Sequence, residues 1–188
     1  MVQDVSKGER FLTITLLKDS PEPESKSQPR IHSIGTLSYL VNDKEMENGN
    51  RLIMVVGIKK VLINEADQST HPYRIGMMTI LNEINQFSQE EEQRNRLLSK
   101  FTRLLHLSGA DTQLDVLKKK MLDLEMLTNI ICSVFPVEKQ EQQKLLELPD
   151  VALRLDVVCQ FMDSELSSEK SSELDEYELV IPDPSDWN

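Results

Sequence analysis

Residues that could support catalysis or metal binding form no recognisable site in this sequence. His32, His71 and His106 lie far apart and have no ligand spacing to one another or to the two cysteines, so no metal site is predicted. None of the six glycines belongs to the phosphate-binding pattern G-x-x-x-x-G-K-[ST]. The serine-hydrolase pattern G-x-S-x-G does not occur either, and nothing singles out a Ser-Lys pair. The sequence therefore predicts no cofactor and no enzymatic activity.

Aromatic and methionine side chains in β-rich segments are the residues best suited to binding. Methionine is flexible and polarizable, as adaptable recognition surfaces require, and tyrosine combines an apolar ring with a polar tip. Packing inside the protein explains the same residues, so both interpretations stay open. The candidate peptide-binding surface consists of Tyr39, Met54, Tyr73, Met77 and Met78.

The distribution of charge separates the possible classes of partner. The chain has 188 residues, of which 39% are apolar, and a net charge of −11, most of it within residues 163–188. The rest of the chain is close to neutral, whereas binding to nucleic acid requires a basic surface. We therefore expect protein or peptide partners and no nucleic acid. Two local basic runs, Lys59-Lys60 and Lys118-Lys119-Lys120, are typical of a solvated face.

Cysteine usage and hydropathy favour a cytoplasmic protein. Cys132 and Cys159 lie within apolar helical patterns, which predicts two reduced core thiols rather than a disulfide framework. No run of about 18 consecutive apolar residues occurs, and the first residues lack the apolar stretch of a signal peptide. We expect no membrane span and no secretion. An organelle stroma or matrix is the alternative if a targeting segment precedes this chain.

The clearest structural pattern is a β-hairpin within residues 31–63. Asn48-Gly49 lies between two β-rich runs, and this pair favours a tight turn because both residues tolerate positive φ. The return run, Leu52 to Val56, is apolar at every position, so we expect both of its faces to be covered. Gly57 interrupts the run and indicates a bulge or bend, after which residues 58–63 form a further strand.

Two more strands accompany the hairpin. Apolar residues and threonines alternate over Phe11–Leu17, which predicts a half-buried strand, and residues 73–81 are predicted to be the last strand. Polar segments rich in turn-forming residues separate these runs. Short strands without an intervening helix predict a small antiparallel, barrel-like sheet over residues 10–81.

From Asn82 onward the apolar residues follow helical spacing. Ser88 and Glu91 have the form of a capping box, and Ser108-Gly109 is a typical helix end. Pro149 suits the first turn of the last helix, whose apolar face is predicted to be Leu153, Val157, Val158 and Phe161. The predicted helices cover residues 88–108, 112–122, 124–135, 138–148 and 149–166.

The chain resembles the N-terminal substrate-binding domain of the Lon proteases from about Phe11 to Leu166. That family has V-G-T-x-A, a turn, a strand ending in G-x-x-R-x-x-I, and a later strand similar to Y-x-A. In its helical half, D-x-x-x-R-L follows a leucine-rich helix. The matching residues here are Gly35 and Thr36 for the first pattern, Gly57, Lys60 and Ile63 for the second, Tyr73 and Ile75 for the third, and Asp150, Arg154 and Leu155 for the last.

The resemblance implies an α+β fold in which a PUA-like antiparallel barrel lobe, residues 1–85, precedes a helical bundle lobe, residues 86–166. It implies a non-catalytic module that engages unfolded or specific protein substrates in ATP-dependent proteolysis, with a protease or chaperone as a further partner. The chain is too short for the ATPase and protease modules of full Lon enzymes. The alternative is a PUA-like RNA-binding module. For the acidic tail, residues 167–188, composition predicts disorder, with Tyr177–Trp187 as a docking peptide or a frayed terminus.

The resemblance also predicts an open sheet edge. The family's first strand and following helix have no counterpart in this chain, which starts ten residues before the Phe11 strand. A barrel that lacks a strand exposes backbone N–H and C=O groups along an edge. We therefore expect a homo-oligomer formed edge to edge, or closure by a strand from a partner. The alternative is a start codon placed too late in the gene.

Overall fold

The computed structural model describes residues 1–19, 29–66, 72–108, 122–135 and 137–167. The chain forms two compact units, a sheet unit over Met1–Asn82 and a helical unit that begins at Glu83. A sheet followed by helices confirms the expected α+β class. In chain order the elements are α1 (Val2–Lys7), β1 (Phe11–Ile14), β2 (Ile34–Glu45), β3 (Arg51–Glu65), β4 (Gly76–Ile80), α2 (Glu90–Ser108), α3 (Leu124–Val134), α4 (Lys139–Glu147) and α5 (Val151–Ser167).

The four strands form one antiparallel sheet in the order β1-β2-β3-β4. The predicted turn joins β2 to β3, and Gly49 there has φ +79°. The first and last strands are shorter than predicted, since Leu17 forms only an isolated bridge with Ile31 and β4 begins at Gly76. The short helix α1 was not anticipated, because a single polar turn carries no apolar periodicity.

Gly57 marks an irregularity in the ladder, as predicted, but it does not divide the strand. Leu37 pairs with Lys59 and Ser38 with Gly57, so Ile58 is the extra residue of a bulge inside a continuous β3. A second register shift follows Leu40, which leaves Val41 as the extra residue on β2. Bulges increase the local twist and bend of a sheet.

Gly35, in the first of the resemblance patterns, lies where β2 crosses close to the end of β1. A Cβ atom at this position would lie 2.5 Å from the Ile14 backbone oxygen and 3.0 Å from Ile63 Cδ1. Only glycine fits this approach of two backbones.

The prediction that both faces of residues 52–56 are covered was wrong. Leu52 is 63% exposed and Met54 47% exposed, and Ile53 is also exposed. A continuous apolar run is typical of a strand covered on both faces. Here nothing among the described residues covers Leu52 and Met54 in this way.

The helical unit has the main hydrophobic core of the chain. The predicted spacing of α2 is confirmed, because Leu97, Phe101 and Leu105 are buried in one core cluster together with side chains of α3, α4 and α5. The helix begins at Glu90, after Gln89 with φ +60°, so the predicted capping box at Ser88 is displaced by one residue. The helix predicted over residues 112–122 lies almost entirely outside the described residues, as do residues 168–188.

The last helix differs from its prediction in its start and its face. It begins at Val151, and Pro149 precedes the capping residue Asp150 instead of lying in the first turn. Leu153 is exposed, and Val157 and Phe161 are only partly buried. The buried face consists of Val151, Arg154, Leu155, Val158, Cys159 and Met162. Cys132 and Cys159 are buried free thiols, as the sequence indicated.

Candidate functional site

One face of the sheet unit carries a group of exposed apolar side chains. Phe11 pairs with Tyr39 across β1 and β2, and Tyr39 pairs with Val56 on β3, so these residues share a face. Met54 and Leu52 precede Val56 on β3 at every second position, so their side chains point to the same side of the sheet. Met78 joins this face because its sulfur lies 3.5 Å from Thr13 Oγ1 and Thr13 alternates with Phe11. The exposed apolar face consists of Phe11, Tyr39, Leu52, Met54, Met78 and Ile80.

Tyr39 is held in place from two sides. Its ring makes an edge-to-face contact with Phe11, with ring centroids 5.5 Å apart and an interplanar angle of 69°. The Arg10 guanidinium carbon lies 5.7 Å from the centroid of the Tyr39 ring, a cation–π geometry. Arg10 itself donates from Nε to the Leu40 oxygen at 2.8 Å and from a terminal nitrogen to the Val41 oxygen at 2.7 Å. Arg10 thus fixes both the β2 bulge and the aromatic ring beside it.

The structure brings together three of the five residues that the sequence suggested. Tyr39, Met54 and Met78 lie on the exposed apolar face. Met77 is 74% exposed, but it is next to Met78 in β4 and therefore points to the other side of the sheet. That these residues form a peptide-binding surface stays a prediction.

Tyr73, the fifth residue, precedes β4 and interacts with α1. Partial burial, together with the hydrogen bond from its hydroxyl group to the Asp4 carboxylate, raises the pKa of Tyr73. This contact joins the N-terminal helix to the segment before β4, so Tyr73 has a structural partner.

Sequence reasoning missed Phe11, Leu52 and Ile80. Phe11 and Ile80 looked like ordinary strand residues, and Leu52 was assigned to a doubly covered strand. The available signal was that apolar residues at every second position of a strand lie on the same face. Only the pairing of strands shows which apolar residues of different strands share a face.

The patterns of the helical half have a structural role. Asp150 Oδ1 accepts hydrogen bonds from the backbone N–H groups of Ala152 at 2.9 Å and Leu153 at 3.2 Å, and so caps α5. Arg154 is 3% exposed and donates to the Leu145 oxygen at 3.0 Å. It also bonds the Leu148 oxygen, the Asn129 side chain and the Glu83 carboxylate. One buried guanidinium therefore ties together four segments of the helical unit.

Within the residues that the structure describes, no group of three or more His, Cys, Asp or Glu side chains could hold a metal ion. No helix in the same residues is long and apolar enough to cross a membrane. Large exposed apolar patches are typical of interaction sites in proteins.

A four-stranded antiparallel sheet followed by helices defines the class of the fold. The family model of the ATP-dependent protease La (LON) substrate-binding domain matches residues 1–164. The chain belongs to this family.

Curated relatives and solved structures agree with this assignment. The chain is 22% identical over 171 residues to Lon protease of Aquifex aeolicus and 24% identical over 170 residues to that of Cytophaga hutchinsonii. Each match covers 88% of this chain and 21% of the relative, so the chain spans about a fifth of the length of these proteins.

Two solved structures share the fold. The N-terminal domain of Mycobacterium avium complex Lon protease superposes with a TM-score of 0.61 at 15% identity, covering 81% of this chain and 90% of that one. A Lon N-terminal domain protein from Xanthomonas campestris gives a TM-score of 0.60 at 14% identity, covering 86% and 81%.

Proposed function

We propose that this chain binds unfolded or extended segments of protein substrates through the exposed apolar face and thereby serves ATP-dependent proteolysis. The observation that carries this proposal is that the exposed side chains of Phe11, Tyr39, Leu52, Met54, Met78 and Ile80 lie on one side of the sheet unit. Membership of the Lon substrate-binding family supports it. The chain contributes recognition, and a protease or chaperone that acts on the bound substrate is the partner that this role requires.

The chemistry of the face suits substrates without a fixed sequence. Unfolded proteins expose apolar side chains of many shapes, and methionine can adapt to different shapes because three of its bonds rotate. Two methionines lie on the same face as Tyr39, whose orientation is fixed by Phe11 and Arg10. A fixed aromatic ring lowers the entropy cost of binding, while flexible neighbours allow varied partners.

The proposal is tested with a permanently unfolded protein, reduced and carboxymethylated α-lactalbumin, labelled for fluorescence anisotropy. Met54→Ser removes a half-exposed apolar side chain from the face, and we expect roughly five-fold weaker binding, equivalent to about 1 kcal/mol. Met77→Ser is the matched control, because it makes the same chemical change on the opposite side of the sheet. We expect the control to bind as the wild type does.

Two results would contradict the proposal. One is that the wild-type protein does not bind the unfolded chain at concentrations up to about 1 mM. A dissociation constant of that size corresponds to a binding free energy of about −4 kcal/mol. The other is an equal loss of binding in both methionine variants, which would show that the exposed apolar face has no special role.

A further inference from the structure

The edge strand β4 is short, but it carries no charged residue and no proline. Exposed edges in soluble proteins carry charged residues, proline or bulges that prevent pairing with another strand. The sequence of β4 is Gly-Met-Met-Thr-Ile, and all five residues are exposed. It pairs with β3 in regular register from Val61–Ile80 to Glu65–Gly76. This edge is therefore suited to accept a further strand.

The register shows which backbone groups of β4 point outward. Leu81 N donates to the Lys60 oxygen at 2.9 Å, so the backbone groups of Leu81 face β3. In an antiparallel strand, every second residue directs its backbone N–H and C=O groups to the same adjacent strand. The backbone groups of Met77 and Thr79 therefore face β3 as well. The N–H and C=O groups of Met78 and Ile80 are directed away from the sheet.

The opposite edge, β1, has the same arrangement. Leu40 N donates to the Arg10 oxygen at 2.8 Å, so the backbone N–H and C=O groups of Arg10, Leu12 and Ile14 face β2. The backbone groups of Phe11 and Thr13 then point away from β2. In the described residues no backbone ladder joins β1 to β4.

The two edges lie close to each other because the sheet is strongly curled. In a flat sheet β1 and β4 would be about 14 Å apart, three times the strand spacing of about 4.8 Å. Thr13 Oγ1 and Met78 Sδ are 3.5 Å apart, and the reach of these two side chains limits the distance between their Cα atoms to roughly 10 Å. Two strand spacings amount to about 9.6 Å. The gap between β1 and β4 therefore has room for at most one extended chain.

We infer that one extended segment of a protein substrate adds to the sheet between β1 and β4 and forms main-chain hydrogen bonds with both edges. This inference rests on the proposed function and specifies its mode. Alternate side chains of the segment would lie on the exposed apolar face beside Phe11, Met78 and Ile80, so segments with apolar residues at every second position are the class of substrate that fits. A second copy of the folded chain fits less well, since its β4 is flanked by β3 and the curled sheet leaves room for a single strand.

The first experiment uses a fluorescein-labelled peptide of alternating valine and threonine, about seven residues long, with lysine at both ends. N-methylation of every second residue removes the hydrogen-bond donors on one side of the peptide and leaves its side chains unchanged. An inserted strand uses both sides, so we expect N-methylation in either frame to weaken binding to the full chain at least ten-fold. Insertion between two edges would be overturned if N-methylation weakened binding less than two-fold in both frames. It would also be overturned if N-methylation in one frame weakened binding and N-methylation in the other frame did not.

The second experiment changes the protein. Met78→Pro removes an outward-directed N–H group without breaking the β3–β4 ladder, because proline is tolerated at such edge positions. Met78→Ala keeps the N–H group and removes most of the side chain. We expect Met78→Pro to bind the peptide at least ten-fold more weakly than Met78→Ala, with thermal unfolding confirming that both variants are folded. Equal affinities of the two variants would overturn main-chain recognition.

The results separate this inference from the proposed function. If unfolded α-lactalbumin binds to Met78→Pro as tightly as to Met78→Ala and Met54→Ser still weakens it, face binding stands and strand addition fails. If the wild type binds neither the peptide nor the unfolded protein, both fail. If the wild type is a dimer that Met78→Pro converts to a monomer, a second copy occupies the edge and the inference is wrong.

Discussion

Glu83 and Arg154 form a buried ion pair across 71 residues of sequence, with side-chain exposures of 16% and 3%. The same guanidinium donates to the carbonyl oxygens of Leu145 and Leu148, near the end of α4. Burying a charge is costly unless its donors are satisfied, and here the guanidinium meets acceptors from three segments other than α5. The pair therefore connects the start of the helical unit with its last helix.

Arg154→Met should destabilise the helical unit by about 3–5 kcal/mol, because it leaves the Glu83 carboxylate and two carbonyl oxygens without their donor. Arg96→Met is the control. Arg96 forms a surface ion pair with Asp156 at 2.7 Å, and its loss should cost about 0–1 kcal/mol. Urea unfolding followed by circular dichroism measures both. Similar losses in the two variants would show that the Arg154 network is not a main source of stability.

Gly35→Ala should destabilise the sheet unit by about 1–3 kcal/mol, because the new methyl group meets the Ile14 backbone oxygen, which cannot move without breaking the sheet. Gly57→Ala is the comparison. Its Cβ would be 3.0 Å from the Thr36 Cγ2 atom, and this methyl group can shift. Thermal unfolding should give a clearly lower Tm for Gly35→Ala. The reverse order would contradict the close approach of β1 and β2.

Asp150→Ala should destabilise the helical unit by about 1 kcal/mol, since it removes the acceptor for the first N–H groups of α5. Asp150→Asn keeps an acceptor oxygen and should cost only a few tenths of that value. Denaturant titrations of the two variants test the cap. If Asn were as harmful as Ala, the carboxylate charge would matter more than the hydrogen bonds.

Stability should fall as the pH rises above about 9, because burial raises the pKa of Cys132 to about 12. The unfolded chain releases the thiol proton near the ordinary value of 9.0, whereas the folded chain retains it. The unfolded state then binds fewer protons, so the free energy of unfolding decreases by about 1.4 kcal/mol per pH unit between about 9 and 12. Burial also raises the pKa of Cys159, which adds in the same direction.

The measurement compares urea unfolding at pH 8 and pH 10 for the wild type and Cys132→Ala. The alanine variant is less stable at both pH values because of its cavity, but its loss between them should be smaller by about 1.4 kcal/mol. Identical pH dependence in the two proteins would show that the Cys132 thiol is accessible or ionised in the folded state.

The α+β order and most element positions were predictable, since they follow from local patterns. The Asn48-Gly49 turn, the bulge at Gly57, the spacing of Leu97, Phe101 and Leu105, and the end of α2 at Ser108 each depend on a few neighbouring residues. The periodicity of apolar residues in a helix or strand depends on a short stretch of sequence, so it can be recognised without knowledge of the tertiary structure.

The division into lobes at residues 85 and 166 stays a prediction, although the compact units separate after Asn82. Three features followed a local rule and were still wrong: the covered faces of residues 52–56, the Ser88 cap and the apolar face of α5. In each case the outcome depended on partners distant in sequence. Leu153 of the predicted α5 face is exposed and Val158 of that face is buried, while α2, α3 and α4 pack against a face of α5 that also contains Leu155 and Cys159.

The sequence by itself determined the class of the protein, the absence of a recognisable catalytic pattern and three of the residues that share the exposed apolar face. Only the tertiary structure decided that Tyr39, Met54 and Met78 share a face while Met77 points to the other side, and that the edges of β1 and β4 approach each other. The physical reason is that strand register and sheet curvature set which side chains are neighbours. Strand register depends on hydrogen bonds between residues up to tens of positions apart, so a local sequence pattern does not determine it.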